Sequence, residues 1–585
     1  MSVVDTAVKG GSWLIEETDR ASVFTREKLT EEHRLIGQTA EEFIGKEVQP
    51  VLDRLEQKDW TLARTLVQRC GEVGLLGTDV PETLGGVGLD KVSSVVVGEE
   101  VGRSASFATT FGAQTGLAIT PLLCFGTDAQ KQKYLPRLVS GEMVGAYALS
   151  ESGSGSDALG AKARATRQPD GSFLLTGEKM WITNGGFADF FIVFAKVDGE
   201  AFSAFLVERS FPGVSSGKEE HKLGLHGSST TPLILQDASV PAENVLGEIG
   251  KGHKVAFNVL NYGRFKLAAM CSGGARSAIG EAAAYAVGRK QFGQSIASFG
   301  AIKHKLAEMT AREYAVEAML YRTAGLIDGM LQGSHANEAM LASLEEFAIE
   351  ASILKVASSE MLDYVLDENV QIHGGNGFVR DYPAERHYRD ARVNRIFEGT
   401  NEINRLLIPG MLARRAVKGS LGIIPAARKL QDELLSPSLA DGPGEGLLER
   451  ERRAVSAMKK VGLMVLGTAM QAYGEKLADE QEILSLTADI LIDVYAAESA
   501  VLRASNAGSA PPHALHAAVA QIFVNDAAAR VEIAARNALA AMAEGDTLRT
   551  LLAALRRVLK VAPVNTVQLR RQVADATAER KGYPF

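Results

Sequence analysis

The 585-residue sequence is poor in cysteine and in long apolar runs, and it has no excess of positive charge. Its three cysteines, Cys70, Cys124 and Cys271, are widely spaced, so they fit neither a disulfide framework nor a metal site and favour a reducing cytosol. The net charge of −8, without a basic cluster, argues against a dedicated nucleic-acid binder. The scattered histidines lack the spacing of metal ligands, and we predict no metal site.

The sequence also offers little that would direct the chain to a membrane or anchor it there. Residues 1–20 carry acidic side chains and no apolar core, so we expect neither a signal peptide nor a transit peptide. The uncharged run Val461–Gly474 is shorter than the roughly 20 residues that span a bilayer. We therefore expect a cytoplasmic protein that is not integral to a membrane.

The pattern of apolar residues changes along the chain. Helical spacing gives way to short β-rich runs separated by turn signals, and then returns over long segments. The run Ser436–Gly446, rich in Ser, Pro and Gly, is the clearest linker signal. We predict an α+β fold with an N-terminal helical domain (1–145), a middle β-barrel-like domain (146–250), a four-helix bundle (251–416), a linker (417–446) and an additional α-helical domain (447–585).

The run Arg395–Asn401 places one carboxylate, Glu398, between apolar residues and a Gly-Thr-Asn turn. Apolar neighbours raise the pKa of a carboxyl group by desolvation, and glycine lets a substrate approach the backbone closely. Glu398 is therefore a candidate general base. On this motif alone, a structural glutamate near a helix start is the commoner interpretation.

A second segment, Tyr147–Asp157, reads as an apolar strand that ends in a run of Ser and Gly. Such a run offers hydroxyl and backbone N–H donors to the edge of a ring or to a phosphate. The spacing Gly153-x-Gly155-x-x-Ala158 formally matches a dinucleotide fingerprint. Strand-like sequence follows it instead of the required helix, so we reject a nicotinamide Rossmann site.

Three more segments could contact a planar ring or a phosphate group. In Lys179–Asn184, Trp181 lies at the end of a predicted strand, where its face could pack on a ring, although a core tryptophan is an equal alternative. Arg289–Gly293 and Gln371–Gly377 supply a cation, amides and glycines suited to a pyrophosphate. Either of these two alone is also compatible with a helix cap or a turn.

Taken in chain order from Tyr147 to Asn401, the five segments resemble the acyl-CoA dehydrogenases, flavoproteins of fatty-acid β-oxidation, and the resemblance covers about residues 30 to 415. It implies that Glu398 removes the α-proton of an acyl-CoA thioester while the β-hydride passes to FAD, which gives a trans-2-enoyl-CoA. It also implies that electrons pass to an electron-transferring flavoprotein. An acyl-CoA oxidase of the same superfamily, or a FAD-containing assembly protein without turnover, are the alternatives.

The resemblance also assigns roles residue by residue. It implies FAD contacts by Tyr147, Leu149, Ser150, Gly155, Ser156, Trp181, Ile182, Thr183, Arg289, Gln291, Phe292, Gln371, Ile372, His373, Gly374, Gly375, Thr400, Asn401 and Glu402. It implies substrate contacts by Ser156, Asn261, Arg264, Phe397 and Gly399. In the family the segments around Arg289 and Gln371 bind FAD across a subunit interface, which implies a homodimer.

Two features depart from the common family pattern. Ser150-Glu151-Ser152 stands where the family usually has Thr-Glu-Pro, which puts the stiffness of this loop in doubt. The additional C-terminal domain resembles the very-long-chain branch, which implies a long-chain substrate, and the small residues Gly116 and Ala118 are compatible with a deep acyl pocket. Arg450–Gly474, in which Arg452, Arg453, Lys459 and Lys460 precede an apolar run, is either a membrane-surface helix or an ordinary packed helix.

Overall fold

The structure, a computed structural model, describes residues 8–435, 446, 448–508 and 514–585. The N-terminal part is helical, as predicted. Capping boxes at Thr30 and Thr127 start its first and last helices, and a π-helical stretch, Ala113–Ile119, joins the fifth to the sixth. The helices are α1 (Glu31–Phe43), α2 (Leu52–Glu56), α3 (Trp60–Glu72), α4 (Lys91–Val101), α5 (Ala105–Gly112), α6 (Thr120–Phe125) and α7 (Asp128–Val139).

The middle part is a mixed β-sheet, which confirms the predicted β domain. Its strands are β1 (Gly145–Ala148), β2 (Arg164–Arg167), β3 (Phe173–Thr183), β4 (Phe190–Val197), β5 (Ala201–Glu208), β6 (Val214–Ser216), β7 (Thr230–Val240) and β8 (Val245–Leu246). They pair in the order β6-β7-β3-β2-β4-β5-β8, and β1 pairs with β4 in parallel. The register of β3 against β7 shifts between Lys179 and Ile182, which changes the direction of the side chains at the end of β3.

Long helices form the predicted bundle. They are α8 (Gly252–Gly288), α9 (Gly300–Leu331), α10 (Asn337–Glu346), α11 (Ala348–His373), α12 (Ala384–Ala391) and α13 (Asn401–Val417), and the short hairpin β9 (Lys290–Gln291) and β10 (Gln294–Ser295) connects α8 to α9. Small buried residues such as Ala268 and Ala275 on α8 allow its close packing against the neighbouring helices.

The C-terminal part adds α14 (Ile423–Leu435), α15 (Glu449–Tyr473), α16 (Gln481–Ala507), α17 (Ala514–Met542), α18 (Gly545–Val558) and α19 (Thr566–Arg580). Buried side chains of α9, α15 and α16, among them Leu320, Val461 and Tyr495, belong to one continuous core. The predicted linker, 417–446, needs correction because α14 lies within it. Most of its Ser436–Gly446 run lies outside the described residues.

Helix α15 resolves the two interpretations of Arg450–Gly474 in favour of a packed helix. Val461, Val465 and Leu466 are fully buried. Lys459 forms an ion pair of 2.5 Å with Glu498 on α16. The apolar face that a membrane-surface helix would insert is thus covered by protein. Among the described residues, no helix combines the length and hydropathy that a membrane span requires.

Candidate active site

Glu398 lies in a tight turn that leads into α13, and its backbone is held in the left-handed region at φ 57°. Arg264 on α8 donates a hydrogen bond from Nε to the carbonyl of Glu398 over 3.0 Å. Asn404 donates from Nδ2 to the carbonyls of Gly399 (2.8 Å) and Thr400 (3.0 Å). These bonds fix the main chain of the turn. Because they do not use the carboxylate, it remains available for chemistry.

The carboxylate of Glu398 is in a setting that suits a base at neutral pH. Its Oε2 is buried and has no hydrogen-bond partner among the described residues. Burial raises the pKa of Glu398 to about 7, against the opposing positive charges of Arg264 and Lys355. Burial also lowers the pKa of Lys355 to about 8. A carboxyl group with a pKa close to the working pH is a stronger base than an exposed one.

A cavity of about 980 Å³, including its open mouth, lies beside this carboxylate. The bundle and the N-terminal helices supply most of its walls, and Thr183 at the end of β3 reaches it from the sheet. Lining residues include Ala113, Gly116 and Leu117 from the π-helical stretch between α5 and α6, and Gly263, Lys266, Leu267, Met270 and Phe397 from the bundle. Most of these side chains are apolar, which suits a hydrocarbon chain.

Gly263 on α8 makes room for the carboxylate. A Cβ atom at this position would lie 2.6 Å from Oε2 of Glu398, well inside ordinary contact. The family resemblance assigns roles to its neighbours Asn261 and Arg264 but none to Gly263. A glycine inside a long helical pattern is the signal that could have identified it, since such a residue usually has a packing or functional reason.

Trp181 is an exposed aromatic residue beside the cavity wall that Thr183 provides. The side chain is 55% exposed, and its φ of 58° follows from the register shift in β3. Nearby, Gly153 and Gly155 border open space, and the buried hydroxyl of Tyr147 has no hydrogen-bond partner among the described residues. An exposed ring, open glycine backbone and an orphaned hydroxyl are what a large planar ligand with polar edges would use.

Matches to known protein families agree with this geometry. Models of the acyl-CoA dehydrogenase N-terminal, middle and C-terminal domains match residues 30–142, 146–238 and 250–412, and a further C-terminal domain model matches 457–557. A probable acyl-CoA dehydrogenase of Bacillus subtilis is 48% identical, and the alignment covers 98% of each chain. The chain belongs to the acyl-CoA dehydrogenase family.

Solved structures and further relatives place it more closely. The crystal structure of a Bacillus anthracis acyl-CoA dehydrogenase complexed with FAD superposes with a TM-score of 0.97, at 48% identity, over 99% of this chain and 100% of that one. A very long-chain specific enzyme of Macaca fascicularis is 37% identical over 82% of this chain and 77% of its own. A short-chain specific enzyme of Bos taurus is also 37% identical, over 70% of this chain and 96% of its own. The chain is an FAD-dependent acyl-CoA dehydrogenase.

In this acyl-CoA dehydrogenase, the residues around Trp181 fit FAD. The loop that lacks the family's proline is held in another way: Glu151 accepts hydrogen bonds from Lys179 Nζ (2.7 Å) and from the main-chain N–H groups of Lys162 (2.6 Å) and Ala163 (3.0 Å). This buried carboxylate stiffens the loop. Leu149 and Ile182 are buried in apolar cores, so their contact with FAD would be through the main chain.

The predicted pyrophosphate residues lie on the surface of the bundle. Arg289, Gln291 and Phe292 sit on the β9–β10 hairpin, where Phe292 is 93% exposed, and Gln371, Gly374 and Gly375 are exposed at the end of α11. Among the described residues that line the cavity, none comes from these two segments. Within one subunit, these segments therefore do not form part of the cavity beside Glu398.

Several other predicted contacts have side chains occupied elsewhere. His373 stacks on Tyr285 at 4.1 Å and bonds through Nδ1 to the Asn369 carbonyl, and Ile372 is in the bundle core. Asn401 accepts a 2.6 Å hydrogen bond from Lys355. Of the remaining residues, Thr400 caps α13, Asn261 accepts a hydrogen bond from Arg264, and Phe397 lines the cavity. Ser150 is half-buried, whereas Ser156 and Glu402 are exposed. Gly399, at φ 77°, completes the Glu398 turn.

Proposed function

We propose that this enzyme oxidises a fatty acyl-CoA at its Cα–Cβ bond, with Glu398 as the base. The observation that carries the proposal is that Glu398 lines a mainly apolar cavity, while its Oε2 is buried and has no hydrogen-bond partner among the described residues. Glu398 takes the α-proton of the thioester, and the product is the trans-2-enoyl-CoA. Bound FAD would accept the hydride from the β-carbon.

The surrounding residues orient and polarise the substrate. Arg264 fixes the Glu398 turn through its 3.0 Å bond to the main chain, and Gly263 leaves space for the carboxylate. The main-chain N–H of Glu398 donates to the thioester carbonyl, as resemblance to the family suggests, which makes the α-proton more acidic. Phe397 and Gly116 contact the acyl chain, while Ser156 and Asn261 contact the CoA part.

FAD is held by the strand ends and loops at the sheet edge. Trp181 would pack on the ring system, Thr183, Ser150 and Tyr147 would bond to its polar groups, and Gly155 would let it approach the backbone. The hairpin residues Arg289, Gln291 and Phe292, with Gln371, Gly374 and Gly375, complete the FAD site of a second subunit. The enzyme is therefore a homodimer in this proposal.

Fatty-acid β-oxidation is the proposed pathway, and an electron-transferring flavoprotein is the proposed acceptor. A long-chain substrate is supported by the C-terminal domain and by the open space at Gly116. Ala118 does not add to this support, because it packs near Gly145, where a Cβ would lie 2.3 Å from it. Membrane contact is not part of the proposal, since the apolar face of α15 is buried.

The test is anaerobic bleaching of the bound flavin by saturated acyl-CoAs of increasing length, followed by reoxidation with either an electron-transferring flavoprotein or oxygen. A dehydrogenase is bleached and is then reoxidised much faster by the flavoprotein. Fast reoxidation by oxygen would identify an oxidase instead. Failure of every acyl-CoA to bleach the flavin would favour a non-catalytic FAD protein.

A further inference from the structure

Lys266 is a charged residue in the wall of an otherwise mainly apolar part of the cavity. It lies on α8 three residues after Gly263, about 4.5 Å further along the helix axis. The residue is 4% exposed, and it lines the same cavity as Glu398, together with Leu267 and Met270. A buried ammonium group is costly unless polar partners hold it.

The partners of Lys266 lie on the N-terminal helices. Its Nζ donates a 2.5 Å hydrogen bond to Ser94 Oγ on α4. The same atom lies 5.7 Å from the ring centre of Phe111 and 5.8 Å from that of Tyr262. Burial lowers the pKa of Lys266 to about 8, while the negative charge of Asp79 opposes this effect. These contacts hold the side chain across the space between α8 and α4.

The hydrogen bonds continue beyond Lys266 as a polar layer. Ser94 Oγ lies 3.4 Å from the Tyr262 hydroxyl, which donates to Asp79, and Lys91 Nζ lies 2.6 Å from Asp79 Oδ2. Asp79 and Lys91 line a second cavity, of about 920 Å³ including its open mouth. The five side chains therefore separate the catalytic cavity from this second one.

We propose that Lys266, supported by this polar layer, is the inner wall of the acyl pocket and sets the upper limit of acyl-chain length. The inference rests on the proposed placement of the acyl chain in the catalytic cavity. An alkyl chain offers no acceptor to the ammonium group. A chain long enough to reach the wall would have to separate Lys266 from Ser94 and leave a buried charge unpartnered.

Truncating the Lys266 side chain opens the pocket without leaving the Asp79 carboxylate unpaired. In Lys266→Ala, Asp79 keeps its ion pair with Lys91 and its bond from Tyr262. Acyl chains that are too long for the wild-type protein should then gain up to about fourfold in kcat/KM for each additional methylene buried, which corresponds to about 0.8 kcal/mol. Lys266→Met keeps most of the side-chain length, so it should extend the limit by less.

The experiment measures kcat/KM and calorimetric binding across even-numbered saturated acyl-CoAs with the full-length, FAD-loaded enzyme. Lys459→Met is the matched control, because it also removes a largely buried lysine, but one paired with Glu498 in the C-terminal part. Its chain-length profile should equal that of the wild type.

The proposal that Lys266 limits chain length is supported if the kcat/KM optimum shifts toward longer acyl chains in Lys266→Ala and shifts by less in Lys266→Met. An unchanged profile in both folded variants overturns it, as does an equal loss at every chain length. Loss of all bleaching in the wild-type enzyme would instead contradict the proposed function, so the two failures are distinguishable.

Discussion

The space at Gly263 gives a prediction in which stability and activity change in opposite directions. A Cβ at this position would lie 2.6 Å from Oε2 of Glu398, whereas ordinary contacts begin near 3.4 Å. In Gly263→Ala the carboxylate must therefore retreat by about 0.8 Å. Because the contacted atom is the end of a flexible side chain, the fold can absorb this movement. The reaction geometry cannot absorb this movement, since a misplacement of about 1 Å can cost about 100-fold in rate.

Stability should move in the other direction. Alanine is favoured over glycine inside a helix by about 1 kcal/mol, so Gly263→Ala should unfold at an equal or higher denaturant concentration. We expect kcat for acyl-CoA oxidation to fall by about 10- to 100-fold while FAD content is unchanged. The assay is single-turnover flavin reduction beside denaturant unfolding.

Gly280→Ala on the same helix is the matched control. A Cβ there would lie 3.6 Å from the nearest atom, the Lys581 carbonyl, and away from the cavity. It should gain the same helix preference and keep the wild-type rate. Flavin reduction at the wild-type rate in Gly263→Ala would refute the reasoning, because the carboxylate position would then not depend on this space.

Two further predictions concern the electrostatics and the surface segments. Lys355 holds the pKa of Glu398 down, so Lys355→Met should move the acidic limb of the pH profile of kcat/KM to higher pH; an unshifted limb would show that the charge of Lys355 does not reach the base. Phe292→Ser replaces a residue that is 93% exposed, so it should spare the fold of the subunit but weaken FAD retention and dimerisation together, as measured by flavin-to-protein absorbance and sedimentation. Unchanged sedimentation and FAD content would place the hairpin outside the subunit interface.

The sequence predicts the succession of helical, β and helical parts because helical and strand periodicities are local properties. It also makes Glu398 a candidate base, because its apolar flank and glycine turn are adjacent in sequence, and the other family segments favour that role over a structural one. The predicted bounds of the linker, 417–446, are wrong because α14 lies within them, next to the run rich in Ser, Pro and Gly. The roles of Lys266 and Lys355 were missed for a different reason. A lysine in a helix is usually exposed, and only the packing of distant helices shows that both are buried.

Arg450–Gly474 shows the same limit. Its cations and apolar run are equally typical of a membrane-surface helix and of a buried amphipathic helix. The partner that decides between them, Glu498 on α16, is distant in sequence, and it pairs with Lys459. His373 and Asn401 match the family's FAD-contact positions in sequence, yet their side chains form hydrogen bonds within the bundle.

The variant Glu398→Gln tests most directly whether Glu398 is the base. The amide keeps the shape of the side chain but cannot accept the α-proton. We predict that the variant retains FAD and still binds acyl-CoA by calorimetry, while anaerobic flavin reduction slows by about 100- to 10,000-fold. Flavin reduction at the wild-type rate in Glu398→Gln would contradict the account, since another residue would then have to remove the proton.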